Sequence, residues 1–234
     1  MSMERLDKLL ASTGRWSRSE VKRLVREGRV LADGRIAASP EEKYDAGSVS
    51  LTVDGEAVRL RQYVYVMLHK PAGVLSATED GRGKTVLDLL PQEYQKRGLF
   101  PVGRLDKDTE GLLLLTDDGA LAHELLSPKK HVDKLYFARV DGTLDAADAA
   151  AFAAGMTLTD GLRCLPAELE IVAPDEALVT LREGKFHQIK RMFAARGKPV
   201  AYLKRLAMGP LQLDEGLAPG AWRELSDAEE KMLK

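Results

Sequence analysis

The sequence predicts an α+β fold in two parts: a small N-terminal helix–helix–hairpin unit, residues 1–60, and a larger unit, residues 61–234, with a mixed sheet flanked by helices. Three observations carry that prediction. Helical and strand periodicities interleave without the regular βαβ repeat that a doubly wound sheet needs. Ser17 with Glu20, and Ser226 with Glu229, have the spacing of capping boxes that open helices. Leu112–Leu115, framed by a polar loop and the Asp118-Gly119 turn, reads as a strand buried on both faces.

The elements follow in order. Met1–Arg5 opens a charged amphipathic helix with Leu6, Leu9 and Leu10 on one face, ending near Thr13-Gly14. The helix after Ser17 buries Val21, Leu24 and Val25, exposes Arg18, Lys22, Arg23, Arg26 and Arg29, and stops at Gly28. Asp33-Gly34 and Asp54-Gly55 turn short strands at Arg29–Leu31, Arg35-Ile36 and Val49–Val53. Arg59–Tyr63 is a linker or strand entry, Tyr63–Leu68 an alternating strand and His69–Val74 a turn. Thr85–Leu90 and Asp118–Leu126 are short helices, and Lys134–Val140 is a strand. An Ala-rich helix, Asp145–Ala154, ends at Gly155, and strands Glu168–Val172 and Ala177–Leu181 pair across Pro174-Asp175. His187–Ala195 is helical up to Gly197, Val200–Arg205 returns as a strand, and Ser226 starts the last helix.

Composition narrows the function. With 44% hydrophobic and 30% charged residues, the chain belongs with folded globular proteins rather than disordered ones. One cysteine, Cys164, excludes an internal disulfide and a cysteine-rich zinc module, and four scattered histidines give no metal-ligand spacing. No apolar run approaches the roughly 20 residues of a bilayer span. Met1–Arg5 lacks the apolar core of a signal peptide, so a cytoplasmic protein without membrane contact is expected. The net charge of −1 hides an uneven distribution: residues 1–35 carry nine Lys/Arg against five acids, and residues 182–205 carry eight against one. Residues 141–176 compensate with eight acids against one base. Two basic patches on a near-neutral chain suit selective docking on a phosphate backbone.

The loop before the leucine run, Gly103-Arg104-Leu105-Asp106-Lys107-Asp108-Thr109-Glu110-Gly111, sets a carboxylate two residues from an arginine at the rim of a rigid strand. From residues alone this is a reactive site or a solvated loop. A carboxylate pair of the glycosidase kind, Asp106 with Asp108, is a third reading; it requires carboxyl groups about 5–10 Å apart across a sugar cleft.

Two resemblances extend the reading. Arg5–Leu10, Ser17–Glu20 and Gly28-Arg29-Val30, in that order, resemble the S4 RNA-binding module. The resemblance implies a small α/β module whose Arg18, Lys22 and Arg23 contact structured RNA. The remainder resembles the pseudouridine synthases that carry such a module in front. It does so through His69-Lys70-Pro71, Gly103–Asp106 with Thr109 and Gly111, Lys134-Leu135-Tyr136, and Glu183–Met192. This implies a mixed, mainly antiparallel sheet and an isomerase that needs no cofactor and no metal. It would be a monomer whose partner is ribosomal RNA or a ribosomal subunit assembly intermediate.

By the same resemblance Asp106 is the essential nucleophile, adding to uracil C6 or to ribose C1′. A neighbouring cation, Lys190, would keep it ionised, as a charge without the bidentate fork of an arginine. Tyr136 stacks on the target base and takes the C5 proton. Arg104 fills the gap left by the flipped nucleotide or clamps a phosphate, while Lys185, His187 and Arg191 line the RNA path. Lys190–Ala195 and Gly209–Leu225 look closest to the enzymes acting on small-subunit 16S rRNA. A large-subunit 23S enzyme and a non-catalytic rRNA-binding assembly factor on the same scaffold are the alternatives.

Overall fold

The computed structural model describes residues 3–233, so Met1 and Ser2 of the expected N-terminal helix lie outside it. The chain divides into two compact units, one holding the chain through Val64 together with Leu90–Leu99, the other Tyr65–Leu89 and Phe100 onward. The first unit therefore takes in a later return of the chain, which a linear division near residue 60 does not contain.

The first unit runs β1 (Met3–Arg5), α1 (Leu6–Ala11), α2 (Arg18–Arg26), β2 (Val30–Ala32), β3 (Arg35–Ile36), β4 (Lys43–Asp45), β5 (Leu51–Val53) and β6 (Glu56–Val58). Four of these strands form a sheet in the order β3-β2-β5-β6. The helices pack Leu6, Leu9, Leu10, Val21, Leu24 and Val25 against Val30, Leu51 and Val53 of the strands. The Ser17 box forms as expected, with Glu20 N–H donating to Ser17 Oγ (3.2 Å) and Ser17 N–H to Glu20 Oε2 (2.6 Å). Both Asp-Gly turns have positive φ at both residues, 50° and 76° at Asp33-Gly34 and 54° and 82° at Asp54-Gly55, the geometry of tight hairpins. One expectation is corrected here. Met3–Arg5 is not helical but a strand antiparallel to β4, because Arg5 is extended (ψ 142°) and α1 begins only at Leu6.

The chain continues through β7 (Tyr65–Lys70) and a 3-10 turn at Leu87–Leu89 of the second unit, α3 (Gln92–Arg97) of the first, and β8 (Phe100–Pro101) of the second. Then come β9 (Glu110–Thr116), α4 (Gly119–Leu126), β10 (Lys134–Val140), α5 (Ala146–Ala154), β11 (Met156–Thr157) and β12 (Arg163–Cys164). The chain closes with β13 (Glu168–Ala173), β14 (Glu176–Leu181), α6 (Gln188–Ala195), β15 (Val200–Met208), β16 (Leu211–Gln212), β17 (Trp222–Glu224) and α7 (Asp227–Leu233). No described helix is long and apolar enough to cross a membrane.

The second unit is built on one sheet in the order β13-β14-β10-β15-β9-β7-β17, with β16 and β8 added on β15 and β9. Every pairing is antiparallel except β15 with β9, so the sheet is mixed and mainly antiparallel. Central β9 is buried from Gly111 to Thr116, as its leucine run requires. Strand β7 differs from expectation. It is buried at all six positions instead of alternating, and it continues through His69 and Lys70, where a turn was expected. A strand with a neighbour on each side and covered faces has no solvent side on which to alternate.

The expected basic patch at residues 182–205 is also revised. Arg182 pairs with Asp133 (2.8 Å), Arg191 with Asp160 (2.5 Å), and Arg196 with Asp148 (2.9 Å), which Lys198 also grasps. Asp148 is fully buried; burial pushes its pKa up, but the bonds from Lys198 and Arg196 outweigh that and leave it below the ordinary value. Arg191, Arg196 and Lys198 of the basic segment are thus paired with residues of the acidic segment that precedes it.

Candidate active site

The loop between β8 and β9 carries Asp106, and main-chain bonds hold it from beneath. Ser76 Oγ accepts from Leu105 N–H (3.0 Å) and donates to Leu105 O (2.9 Å). Lys70, fully buried at the end of β7, points its ammonium at the loop and donates to the carbonyls of Pro71 (3.0 Å), Lys107 (3.2 Å) and Thr109 (2.8 Å). Three carbonyl dipoles on one ammonium compensate a charge that burial would otherwise expel. The loop's shape therefore does not depend on the side chain of Asp106.

From α6, Lys190 Nζ reaches Asp106 Oδ2 at 3.2 Å and Asp108 Oδ1 at 2.5 Å. His187 Nε2 lies 3.5 Å from Asp106 Oδ1. Asp106 is about a quarter exposed, so it sits at a cleft wall and not in bulk water. The cleft is small and open to solvent, about 70 Å³, and Arg104, Asp106, Tyr136, Lys185, His187 and Lys190 all line it. Tyr136 is buried in β10 beside a register shift between Leu135 and Tyr136, where β15 supplies an extra residue. Such bulges re-aim a side chain without breaking the sheet.

The structure thus gathers Asp106, Tyr136, Lys190, Arg104, Lys185 and His187 in one cleft. Two roles change. Arg191 does not line the cleft; it holds Asp160 in the loop between β11 and β12. Lys185 lines it, but its ammonium is engaged by Glu183 (2.9 Å) and by the carbonyl of Arg163. Arg18, Lys22 and Arg23 are exposed on α2 of the other unit. The carboxylate-pair reading of Asp106 and Asp108 loses its basis, since both carboxylates take the same ammonium instead of flanking an open cleft. That contact holds Asp108 below the usual carboxylate range.

Sequence reasoning gave no role to Asp108 as partner of Lys190, nor to Lys70, Thr109 and Arg205. Thr109 lines the cleft with a buried hydroxyl that has no hydrogen-bond partner among the described residues. Arg205, opposite Tyr136 on β15, is buried, donates Nε to Leu112 O (2.8 Å) and keeps one guanidinium nitrogen without a partner among the described residues. A lysine and an arginine standing in otherwise apolar strand runs were the available signals, because such charges persist inside only when something receives them.

Lys70 yields a pH prediction. Burial lowers its pKa to about 8 from 10.5. Below about pH 8 the folded and unfolded chains both hold this proton, and the burial penalty is fully present. Between about pH 8 and 10.5 only the unfolded chain holds it, so unfolding free energy rises with pH, by on the order of 3 kcal/mol in all. In denaturant melts at pH 7.5, 9 and 10.5 the wild type should gain this stability relative to Lys70→Met. Parallel curves would refute the assignment.

A family model described as RNA pseudouridylate synthase matches residues 64–195, and one described as S4 domain matches residues 4–50. The chain is 48% identical over 233 residues to an uncharacterized RNA pseudouridine synthase of Bacillus subtilis, covering 98% of each. It is 40% identical over 226 residues to ribosomal small subunit pseudouridine synthase A of Vibrio cholerae, covering 96% of this chain and 97% of that one. With ribosomal large subunit pseudouridine synthase B of Bacillus subtilis it shares 37% over 238 residues, 99% and 96% of the two chains. A crystal structure of a pseudouridylate synthase superimposes with a TM-score of 0.70 at 34% identity, covering 98% of this chain and 99% of that one.

Proposed function

The chain belongs to the RNA pseudouridylate synthase family and carries an S4 domain, and from that premise we propose that it isomerises one uridine of 16S ribosomal RNA, with Asp106 as the nucleophile. The observation that carries the residue assignment is the 3.2 Å contact of Lys190 with Asp106 in a cleft shared with Tyr136. The reaction breaks the N1–C1′ bond, forms C5–C1′, and moves the proton from C5 to N1. It is redox-neutral, so a carboxylate, a proton acceptor and a dry, shaped cleft are sufficient for it. Asp106 adds to C6 of the base or to C1′ of the sugar; either route makes it a covalent intermediate-former, and both need a carboxylate anion as the nucleophile.

Tyr136, on the cleft wall, stacks on the uracil and receives the C5 proton. Arg104, exposed at the mouth, takes the space of the flipped nucleotide. Flipping costs a few kcal/mol, which contacts to the surrounding RNA offset. The enzyme works on ribosomal RNA or an assembling subunit as a monomer in the cytoplasm. Identity of 40% to a small-subunit enzyme against 37% to a large-subunit one supports the 16S choice only narrowly; the match of Gly209–Leu225 adds to it.

The test is to map pseudouridines in ribosomal RNA from cells lacking this protein. One 16S position losing its pseudouridine supports the proposal. A lost 23S position replaces it with the large-subunit reading, and an unchanged map removes ribosomal RNA as the substrate. RNA docking by α2 has its own check: Arg18→Glu with Arg23→Glu should weaken binding and reduce the log–log salt slope by about two. Unaltered binding would take α2 out of the recognition surface.

A further inference from the structure

We propose that Phe186 is a stacking platform for the nucleobase that flanks the uridine entering the cleft, an inference that rests on the RNA reading above. Phe186 is three-quarters exposed (75%), so its ring is accessible to a ligand. It stands between Lys185 and His187, both of which line the cleft, and so lies on the rim. One face is already used: the ring stacks on the His187 imidazole with centroids 3.8 Å apart and planes 19° from parallel. The outer face is open, and a flat, two-ring stack ends there.

The platform is held in place before any ligand arrives. Gln188, almost fully buried, accepts from Lys185 N–H (3.0 Å) and donates to Glu183 Oε1 (2.6 Å). Glu183 in turn accepts from Leu165 N–H (2.8 Å). His187 adopts a left-handed backbone (φ 49°), which a non-glycine residue keeps only where its surroundings enforce it. A rigid aromatic loses little conformational freedom on binding. The stack also reaches the chemistry, because His187 Nε2 is 3.5 Å from Asp106 Oδ1.

A nucleobase is the occupant this geometry favours. Pulling a uridine out of its stack leaves the adjacent base with an uncovered face, and an aromatic side chain supplies the missing partner whatever the base. The cations that line the cleft, Lys190 and Arg104, suit a polyanionic strand. An apolar protein segment would need a wider apolar surface than one ring.

The experiment uses the full chain and a short single-stranded RNA with one uridine flanked on both sides by 2-aminopurine, whose fluorescence falls on stacking. Wild type should quench it on saturation. Phe186→Leu, which keeps apolar bulk but has no ring, should lose the quench and bind on the order of tenfold more weakly. Phe186→Trp should restore both. Quenching by Phe186→Leu equal to wild type, or none by wild type, overturns the proposal. Melting curves verify that each variant is folded. Tritium release from 16S and 23S transcripts, measured separately, reports on the proposed substrate, so failure there is distinguishable from failure of the platform.

Discussion

Asp106→Asn is expected to end turnover, by about 10⁴-fold or more in kcat, while leaving the fold and RNA affinity essentially as they are. The amide has the size of the carboxylate but is neither an anion nor a nucleophile, so no adduct forms at C6 or C1′. The loop keeps its shape because Ser76 and Lys70 hold its main chain, not the Asp106 side chain. Lys190 keeps Asp108 as a partner at 2.5 Å, so the substitution strands no charge. The lost contact is partly exposed and worth about 1 kcal/mol at most. The measurement is tritium release from RNA labelled at uridine C5, with binding and melting followed on the same preparation. Retained release would move the chemistry to another residue. A collapse of binding or a drop of many degrees in melting temperature would make Asp106 structural.

The contrast between Asp106 and Lys70 shows what a sequence discloses and what it hides. Local rules were legible because a few adjacent residues settle them. The Ser17–Glu20 box formed, both Asp-Gly turns formed, and Leu112–Leu115 became the buried central strand. Asp106, Tyr136 and Lys190 were legible through motif resemblance, and the cleft they share is consistent with it. Features resting on distant partners were not. Lys70 looks like the start of a turn until carbonyls 37 and 39 residues away receive its ammonium. Residues 182–205 look like a basic surface until Asp148 is found buried between Arg196 and Lys198. β1 and β4 were missed for a related reason: two short polar strands have no alternation to read, and only their pairing with each other makes them strands.

The second large effect is expected at Gly111. This glycine lies in β9 at φ +106°, a conformation that residues with a Cβ rarely adopt. A Cβ built there would stand 2.2 Å from the carbonyl oxygen of Arg205 and 2.6 Å from its nitrogen, both main-chain atoms of the neighbouring strand. No side-chain rotation relieves such a clash; the strands must separate. The seam concerned is the single parallel pairing of the sheet, aligned at Lys204 with Glu110 and Arg205 with Gly111. On one side of it β9 follows directly from the Asp106 loop, and on the other β15 pairs with β10, which carries Tyr136. Gly111→Ala therefore combines backbone strain with overpacking, about 3–5 kcal/mol together. For a chain of this size that corresponds to a melting temperature lowered by roughly 10 °C. Whatever folded protein remains should lose turnover more than RNA binding, because the two halves of the cleft shift against each other while the S4 unit is untouched. Gly119→Ala is the control: nothing lies within 4 Å of its Cβ and it opens α4, so alanine there should be neutral or slightly stabilising. A Gly111→Ala protein that melts with wild type would mean that the seam yields freely, and that the spacing between Asp106 and Tyr136 is fixed by something other than the β9–β15 contact.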